Sequence, residues 1–128
     1  MNVPRQSPAQ RRPPTPRHED TTLAWLILLA AGLLEVVWAY AMKRSDGFTQ
    51  PIPSAVTVAA ALGSFVLLAF AMRSLPLGTA YTVWTGIGAV GAFLLGILML
   101  GESASPLRIA AAALIVSGLV LMKLSGEA

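Results

Sequence analysis

The sequence predicts an all-α integral membrane protein with four transmembrane helices. Only 12% of its 128 residues are charged, about half the share of roughly 25% in soluble domains. The apolar residues collect in four runs, each close to the ~20 residues that a helix needs to cross the hydrocarbon core of a bilayer. Because lipid offers the backbone no hydrogen-bond partner, runs of this kind are predicted to be helices.

Short polar or proline-containing segments separate the runs and define their ends. Pro51 and Pro53 precede the second run, with Ser54 as its candidate N-cap, and Ser105 and Pro106 open the fourth in the same way. A soluble four-helix bundle would need polar helix faces, which these runs lack. The predicted transmembrane domain covers residues 23–125, with spans at about 23–42, 54–72, 78–100 and 106–124.

Residues 1–22 form a separate segment with five prolines and four arginines. Such a segment cannot bury enough apolar surface to offset the entropy of ordering, so we predict a disordered extension. This segment contributes +2 of the net charge of +3, and no basic face indicates a nucleic-acid partner. The chain has no cysteine and only one histidine, His18, which argues against a disulfide or a metal site.

The basic residues at the ends of the spans are nearly balanced across the membrane. Four spans place both termini on one side of the membrane. That side has two basic residues, Arg73 and Lys123, and the other side has three, Lys43, Arg44 and Arg108. Since lysine and arginine counts in short loops set orientation, this balance suits a protein that inserts both ways and forms an antiparallel dimer. The four arginines of the extension favour the terminus side, and the sequence leaves open whether they override the balance.

Glu35 is the residue that indicates function. It lies inside the first span, about 18 Å from one end and about 10 Å from the other at 1.5 Å per residue. An ionisable group at that depth is costly and is most often functional. No basic residue lies mid-span in any run, so the carboxyl group must either hold a proton or pair with a cation from outside. Competition between these two occupants is the physical basis of antiport.

Several polar and aromatic residues are candidates for lining the same site. Trp38 follows one helical turn after Glu35, and its indole N–H can donate to the carboxylate. Ser64, taken alone, is expected to bond back to the carbonyl one turn earlier. Tyr81 and Trp84 share a face of the third span, where Tyr81 could equally be an interfacial anchor. A carboxylate among aromatic rings suits an organic cation.

Three glycines in the third span, Gly86, Gly88 and Gly91, match the G-x-G-x-x-G pattern of dinucleotide-binding proteins. That pattern requires a preceding strand and a helix that starts at it, whereas here it lies inside an apolar run. We therefore predict no nucleotide and no other cofactor. The glycines are interpreted as packing or hinge positions, and Gly88, Ala92 and Gly96 form a row of small residues.

Two segments carry a resemblance to a known family. They are Ala31-Gly32-Leu33-Leu34-Glu35-Val36-Val37-Trp38-Ala39 and Gly78-Thr79-Ala80-Tyr81-Thr82-Val83-Trp84-Thr85-Gly86-Ile87-Gly88-Ala89. With Lys43 and the loop that follows it, they resemble the small multidrug resistance family over about residues 23–125. Trp38 and the Trp84-Thr85-Gly86 segment are similar to its guanidinium-exporter branch.

The resemblance implies a proton-coupled exporter of guanidinium ion and small guanidinyl compounds, not an enzyme, in the bacterial cytoplasmic membrane. It implies an antiparallel homodimer in which two copies of Glu35 bind protons or substrate at one site. By the same resemblance, Trp38, Ser64 and Trp84 would orient Glu35, and Tyr81 would line or gate the site. The implied partners are a second copy, the lipid bilayer, protons and a small organic cation.

Some features leave alternatives open. The family's chains usually begin almost at the first helix, so the extension 1–22 is a departure that makes a paired partner subunit an alternative to the homodimer. Lys123 matches a lysine of the branch that has no role we can assign. Two other functions remain: export of bulkier quaternary ammonium compounds, and a non-transporting membrane subunit.

Overall fold

A computed structural model of the chain contains four α-helices joined by short loops. It describes residues 2, 4, 5, 7 and 18–125. Within these residues each of the four helices is long and apolar enough to cross a membrane, which confirms the predicted all-α fold of four membrane-spanning segments. The helices are α1 (His18–Arg44), α2 (Pro51–Ala71), α3 (Leu77–Leu100) and α4 (Pro106–Ser125).

Helix α1 begins at His18, five residues before the predicted span. Residues 18–22, which the sequence analysis assigns to the disordered extension, are therefore helical. A helix can continue beyond the hydrocarbon, where polar side chains meet water, and Asp20 in the first turn has the charge that a helix N-terminus favours. Apart from four isolated positions, the rest of the predicted extension lies outside the described residues.

The starts of α2 and α4 differ in their caps. Helix α2 begins at Pro51 with Gln50 as the N-cap, so the predicted cap at Ser54 is wrong. The hydroxyl of Ser54 instead donates to the Gln50 carbonyl at 2.5 Å, and prolines are tolerated in a first turn because no N–H is needed there. At α4 the predicted cap is present, since the Ser105 hydroxyl accepts from the backbone N–H of Arg108 at 3.3 Å.

Helix α1 is the centre of the packing. It contacts α2 and α3, whereas the close helix contacts of α4 are with α3. No residue of α4 is buried, and its side chains are mostly exposed, as expected for surfaces that face lipid or another helix. The core between the first three helices contains Ala24, Leu28, Ala31, Leu68, Ala71, Leu75, Ala80, Val83 and Trp84.

Glycines let α1 and α3 approach closely. A Cβ atom at Gly32 would lie 2.7 Å from the side chain of Ile87, and one at Gly91 would overlap Val36. A Cβ at Gly86 would overlap Leu119 of α4. Small residues therefore determine the separation of neighbouring helices at these positions, as they do in membrane proteins generally.

Candidate functional site

Glu35 lies at the contact between α1 and α3. Its carboxyl group rests against Gly88, where a Cβ atom would overlap it. The Oε2 atom is buried and has no hydrogen-bond partner among the described residues. The missing side chain at Gly88 is thus what gives the carboxyl group its place between the two helices.

Three of the basic residues near the helix ends make contacts away from Glu35. Arg44 donates to the Tyr40 hydroxyl at 2.9 Å, and Arg108 donates to the Ser103 carbonyl at 2.7 Å. The Lys123 ammonium lies 4.8 Å from the centre of the Trp25 ring. Within residues 18–125 no basic side chain comes from mid-span, so the described chain supplies Glu35 with no internal cation.

Four aromatic side chains from three helices form a continuous row. The ring centres of Trp38 and Phe65 are 6.4 Å apart, those of Phe65 and Trp84 are 5.8 Å apart, and those of Tyr81 and Trp84 are 5.6 Å apart. These distances are typical of favourable aromatic pairs. The row brings together Trp38, Tyr81 and Trp84, which the sequence analysis selected separately, and adds Phe65, which it missed.

Ser64 and Trp84 connect all three helices by hydrogen bonds. The indole N–H of Trp84 donates to the Ser64 hydroxyl at 2.9 Å, and that hydroxyl donates to the Ala31 carbonyl of α1 at 2.6 Å. Ser64 is fully buried. The expected bond from Ser64 to its own helix is therefore replaced by one across the helix contact.

The Ala31 carbonyl links this chain of hydrogen bonds to the site. In a regular helix the carbonyl of one residue accepts from the N–H four residues later, so Ala31 also accepts from the backbone of Glu35. The side chains of Ser64 and Trp84 thus act on the backbone that carries Glu35, and neither is bonded to its carboxyl group. They hold α2 and α3 against α1 one turn before that group.

Trp38 does not make the contact expected for it. Its indole N–H has no hydrogen-bond partner among the described residues, because its ring packs edge-on against Phe65. A buried polar group without a partner costs free energy, and here two of them, Glu35 Oε2 and Trp38 Nε1, lie one helical turn apart. Together they offer an acceptor and a donor to a small polar ligand.

The remaining predicted residues lie around this centre. Tyr81 is half exposed (53%) at the outer end of the aromatic row, and the neighbouring Thr85 hydroxyl donates to the Tyr81 carbonyl at 2.8 Å. Phe65 is also half exposed (48%). The row thus extends from the buried region near Glu35 to the surface of the protomer.

Comparison with known proteins identifies the family. Residues 23–115 match the family model described as Small Multidrug Resistance protein. The chain belongs to the small multidrug resistance family. Among its curated relatives, proteins named guanidinium exporter from Escherichia coli (strain K12), Citrobacter freundii and Salmonella typhimurium are 59%, 58% and 58% identical over 103 residues. These alignments cover 80% of this chain and 98% of each relative.

Family membership confirms the resemblance described from the sequence. The relatives align over 80% of this chain, and the matched residues 23–115 include the whole aromatic row and Glu35. The chain is therefore a multi-pass membrane protein of this family, and the geometry around Glu35 lies within the family-matched region.

We predict that Ser64→Ala destabilises the protein, because it leaves the Trp84 indole N–H without its partner. Hydrogen bonds between membrane helices contribute about 0.6 kcal/mol on average and up to about 1.7 kcal/mol, so the loss should fall in that range or above it. The measurement is thermal unfolding in detergent. Ser117→Ala is the matched control, since the exposed Ser117 hydroxyl bonds only to the Ala113 carbonyl of its own helix. Equal losses in the two variants would contradict the role of the interhelical bond.

Proposed function

We propose that this protein exports guanidinium ion and small guanidinyl compounds in exchange for protons. The observation that carries the proposal is the carboxyl group of Glu35 inside the first span, whose buried Oε2 atom has no hydrogen-bond partner among the described residues. A charge inside the hydrocarbon is costly unless it is paired. A proton and an organic cation can each neutralise Glu35, and they exclude one another, so the binding of one releases the other.

The surroundings of Glu35 favour a planar cation. A carboxylate accepts a guanidinium through two parallel hydrogen bonds, and aromatic faces attract positive charge. The row from Trp38 to Tyr81 provides such faces. In this proposal Glu35 binds substrate and proton, Trp38 and Trp84 line the site, Ser64 orients the backbone of Glu35, and Tyr81 lies at its entrance.

Relatives support the choice of substrate. Proteins named guanidinium exporter are 58–59% identical to this chain over 98% of their own length. Exchange of a cation for a proton requires neither nucleotide nor any other cofactor. The proton gradient of a bacterial cytoplasmic membrane would drive export.

The functional unit that we propose is an antiparallel homodimer. Helix α4 buries no residue within the protomer, so a second copy can cover it. The near balance of basic residues on the two sides of the membrane favours insertion in both orientations. In such a pair, two copies of Glu35 share one site.

We expect a guanidinium gradient to drive proton movement in vesicles that contain the protein, measured with a pH-sensitive dye inside them. Glu35→Gln should reduce this flux to the rate of empty vesicles, because an amide neither binds a proton nor pairs with a cation. Asp46→Asn is the matched control, since it removes an exposed carboxylate outside the site and should leave the flux unchanged.

The same assay separates the other functions. Flux driven by a tetraalkylammonium ion but not by guanidinium would overturn the proposed substrate in favour of a quaternary ammonium exporter. Absence of flux with either cation, together with an intact cell phenotype in Glu35→Gln, would indicate a non-transporting membrane subunit.

We expect Glu35→Asp to keep exchange and to move its pH dependence downward. Below its pKa a carboxyl group is protonated and cannot pair with the substrate. The reference pKa of aspartate is lower than that of glutamate, so the half-maximal rate should shift to lower pH. The measurement is the guanidinium-driven flux as a function of pH, and an unchanged profile would argue against Glu35 as the proton carrier.

The orientation can be tested because the chain has no cysteine. In Ser103→Cys, which places one thiol in the exposed loop between α3 and α4, an impermeant thiol reagent should label about half of the molecules from each side of the membrane. A permeant reagent, as the control, should label all of them. Labelling from one side only would contradict dual topology and favour a paired partner subunit.

A further inference from the structure

A second carboxyl group rests against the same row of small residues on α3 that Glu35 contacts. Just as Glu35 rests against Gly88, the carboxyl group of Glu102 occupies the space at Gly96 where a Cβ atom would overlap it. The backbone N–H of Glu102 donates to the Gly96 carbonyl at 3.0 Å, which anchors the residue at the end of α3. Gly88 and Gly96 are two turns apart, so the two positions are separated by about 12 Å along the helix.

A cavity of about 230 Å³ is lined by Glu102 and extends to Ala39, in the turn of α1 that follows Glu35. It is formed by α1, α3 and the start of the loop after α3. At 30 Å³ of liquid volume for each molecule, it has room for several waters. Its lining consists of Ala39, Tyr40, Lys43, Ala92, Leu95, Gly96, Leu100 and Glu102.

The inner end of the cavity lies next to Glu35. Ala39 follows Glu35 by one helical turn on α1, and Ala92 follows Gly88 by one turn on α3. These two small side chains, together with Val36 where it packs against Gly91, lie between the cavity and the contact where Glu35 rests. The buried Oε2 atom of Glu35 without a partner lies just beyond them.

The cavity is separate from the aromatic row. Trp38, Phe65, Tyr81 and Trp84 do not line it, and α2 contributes no residue to it. The other titratable groups that face it are Tyr40 and Lys43, both from α1, whereas the α3 residues in its lining carry none.

We propose that this cavity is a proton-access passage to Glu35, with Glu102 as the group that collects protons at the membrane surface. The passage rests on the proposed proton coupling and extends it. A proton leaves the carboxyl group of Glu102, crosses the waters of the cavity and bonds to the carboxylate of Glu35. Substrate approaches the same residue from the aromatic side, so the two competitors reach it by different routes.

The passage itself can be tested without any transport measurement. In Ala92→Cys, the thiol should react with a small water-soluble methanethiosulfonate at least about tenfold faster than in Leu94→Cys. The reason is that the reactive thiolate forms in water and not in hydrocarbon. Leu94 is the matched control, because it lies at nearly the same depth on the exposed face of α3. Ala39→Cys places a thiol on the opposite wall and should behave like Ala92→Cys.

The proposed passage would be overturned if Ala92→Cys and Ala39→Cys reacted as slowly as Leu94→Cys. That result would leave the proposed function intact, since guanidinium-driven flux does not depend on it. Conversely, fast reaction at Ala92→Cys in a protein without flux would support the passage and overturn the proposed function.

The role of Glu102 needs a kinetic readout. Glu102→Gln should slow the release of protons that follows a rapid addition of guanidinium by about tenfold or more, the lower end of what a charge that concentrates ions contributes. Its affinity for guanidinium at equilibrium should stay unchanged, which also shows that the variant is folded. Asp46→Asn removes a carboxylate from the loop on the same side of the membrane. If both variants slowed proton release equally, the loss of negative surface charge alone would explain the effect. That result would overturn the role of Glu102.

Discussion

The structure depends on one carboxyl group that lies inside a membrane-spanning helix without a cation from the described chain. The cost of a charge in hydrocarbon explains why the basic residues of the transmembrane domain lie at helix ends, where Arg44, Arg108 and Lys123 bind carbonyl, hydroxyl and aromatic groups locally. The carboxyl group also needs a glycine opposite it, because any residue larger than Gly88 would take its place. Near Glu35 the described residues leave two buried polar atoms without a hydrogen-bond partner, Glu35 Oε2 and Trp38 Nε1.

Helix α1 is held on two sides by different interactions. Toward α3 the contact is steric. Gly32 of α1 leaves room for Ile87 of α3, and Gly91 of α3 leaves room for Val36 of α1. Toward α2 it is polar, since Ser64 donates to the Ala31 carbonyl. Close packing without voids does not deform gradually, and a hydrogen bond made to the backbone fixes register as well as distance. These contacts position the backbone of Glu35, and the contact with Gly88 leaves room for its carboxyl group.

The lengths and order of the helices could be predicted from the sequence because hydrocarbon thickness imposes one length on every span. The helix ends were less predictable, since Pro51 at a first turn and polar residues before Leu23 are both compatible with helix. The partner of Ser64 was not predictable, because the register between α1 and α2 is not encoded in the pattern of either helix alone. Phe65 could not be selected, since a phenylalanine that faces a site and one that faces lipid have the same sequence signal.

The position of the α1–α3 cavity bears on the orientation of the two copies in the proposed dimer. The lining of the cavity includes Lys43, Leu100 and Glu102, which lie at the C-terminal ends of α1 and α3. Two copies in the same orientation would open both cavities on one side, and both carboxyl groups would exchange protons with one compartment only. Two copies in opposite orientations would open one cavity toward each compartment. In the proposed exchange a proton is taken up on one side and released on the other, so the position of Glu102 at one end of the protomer favours the proposed antiparallel pair.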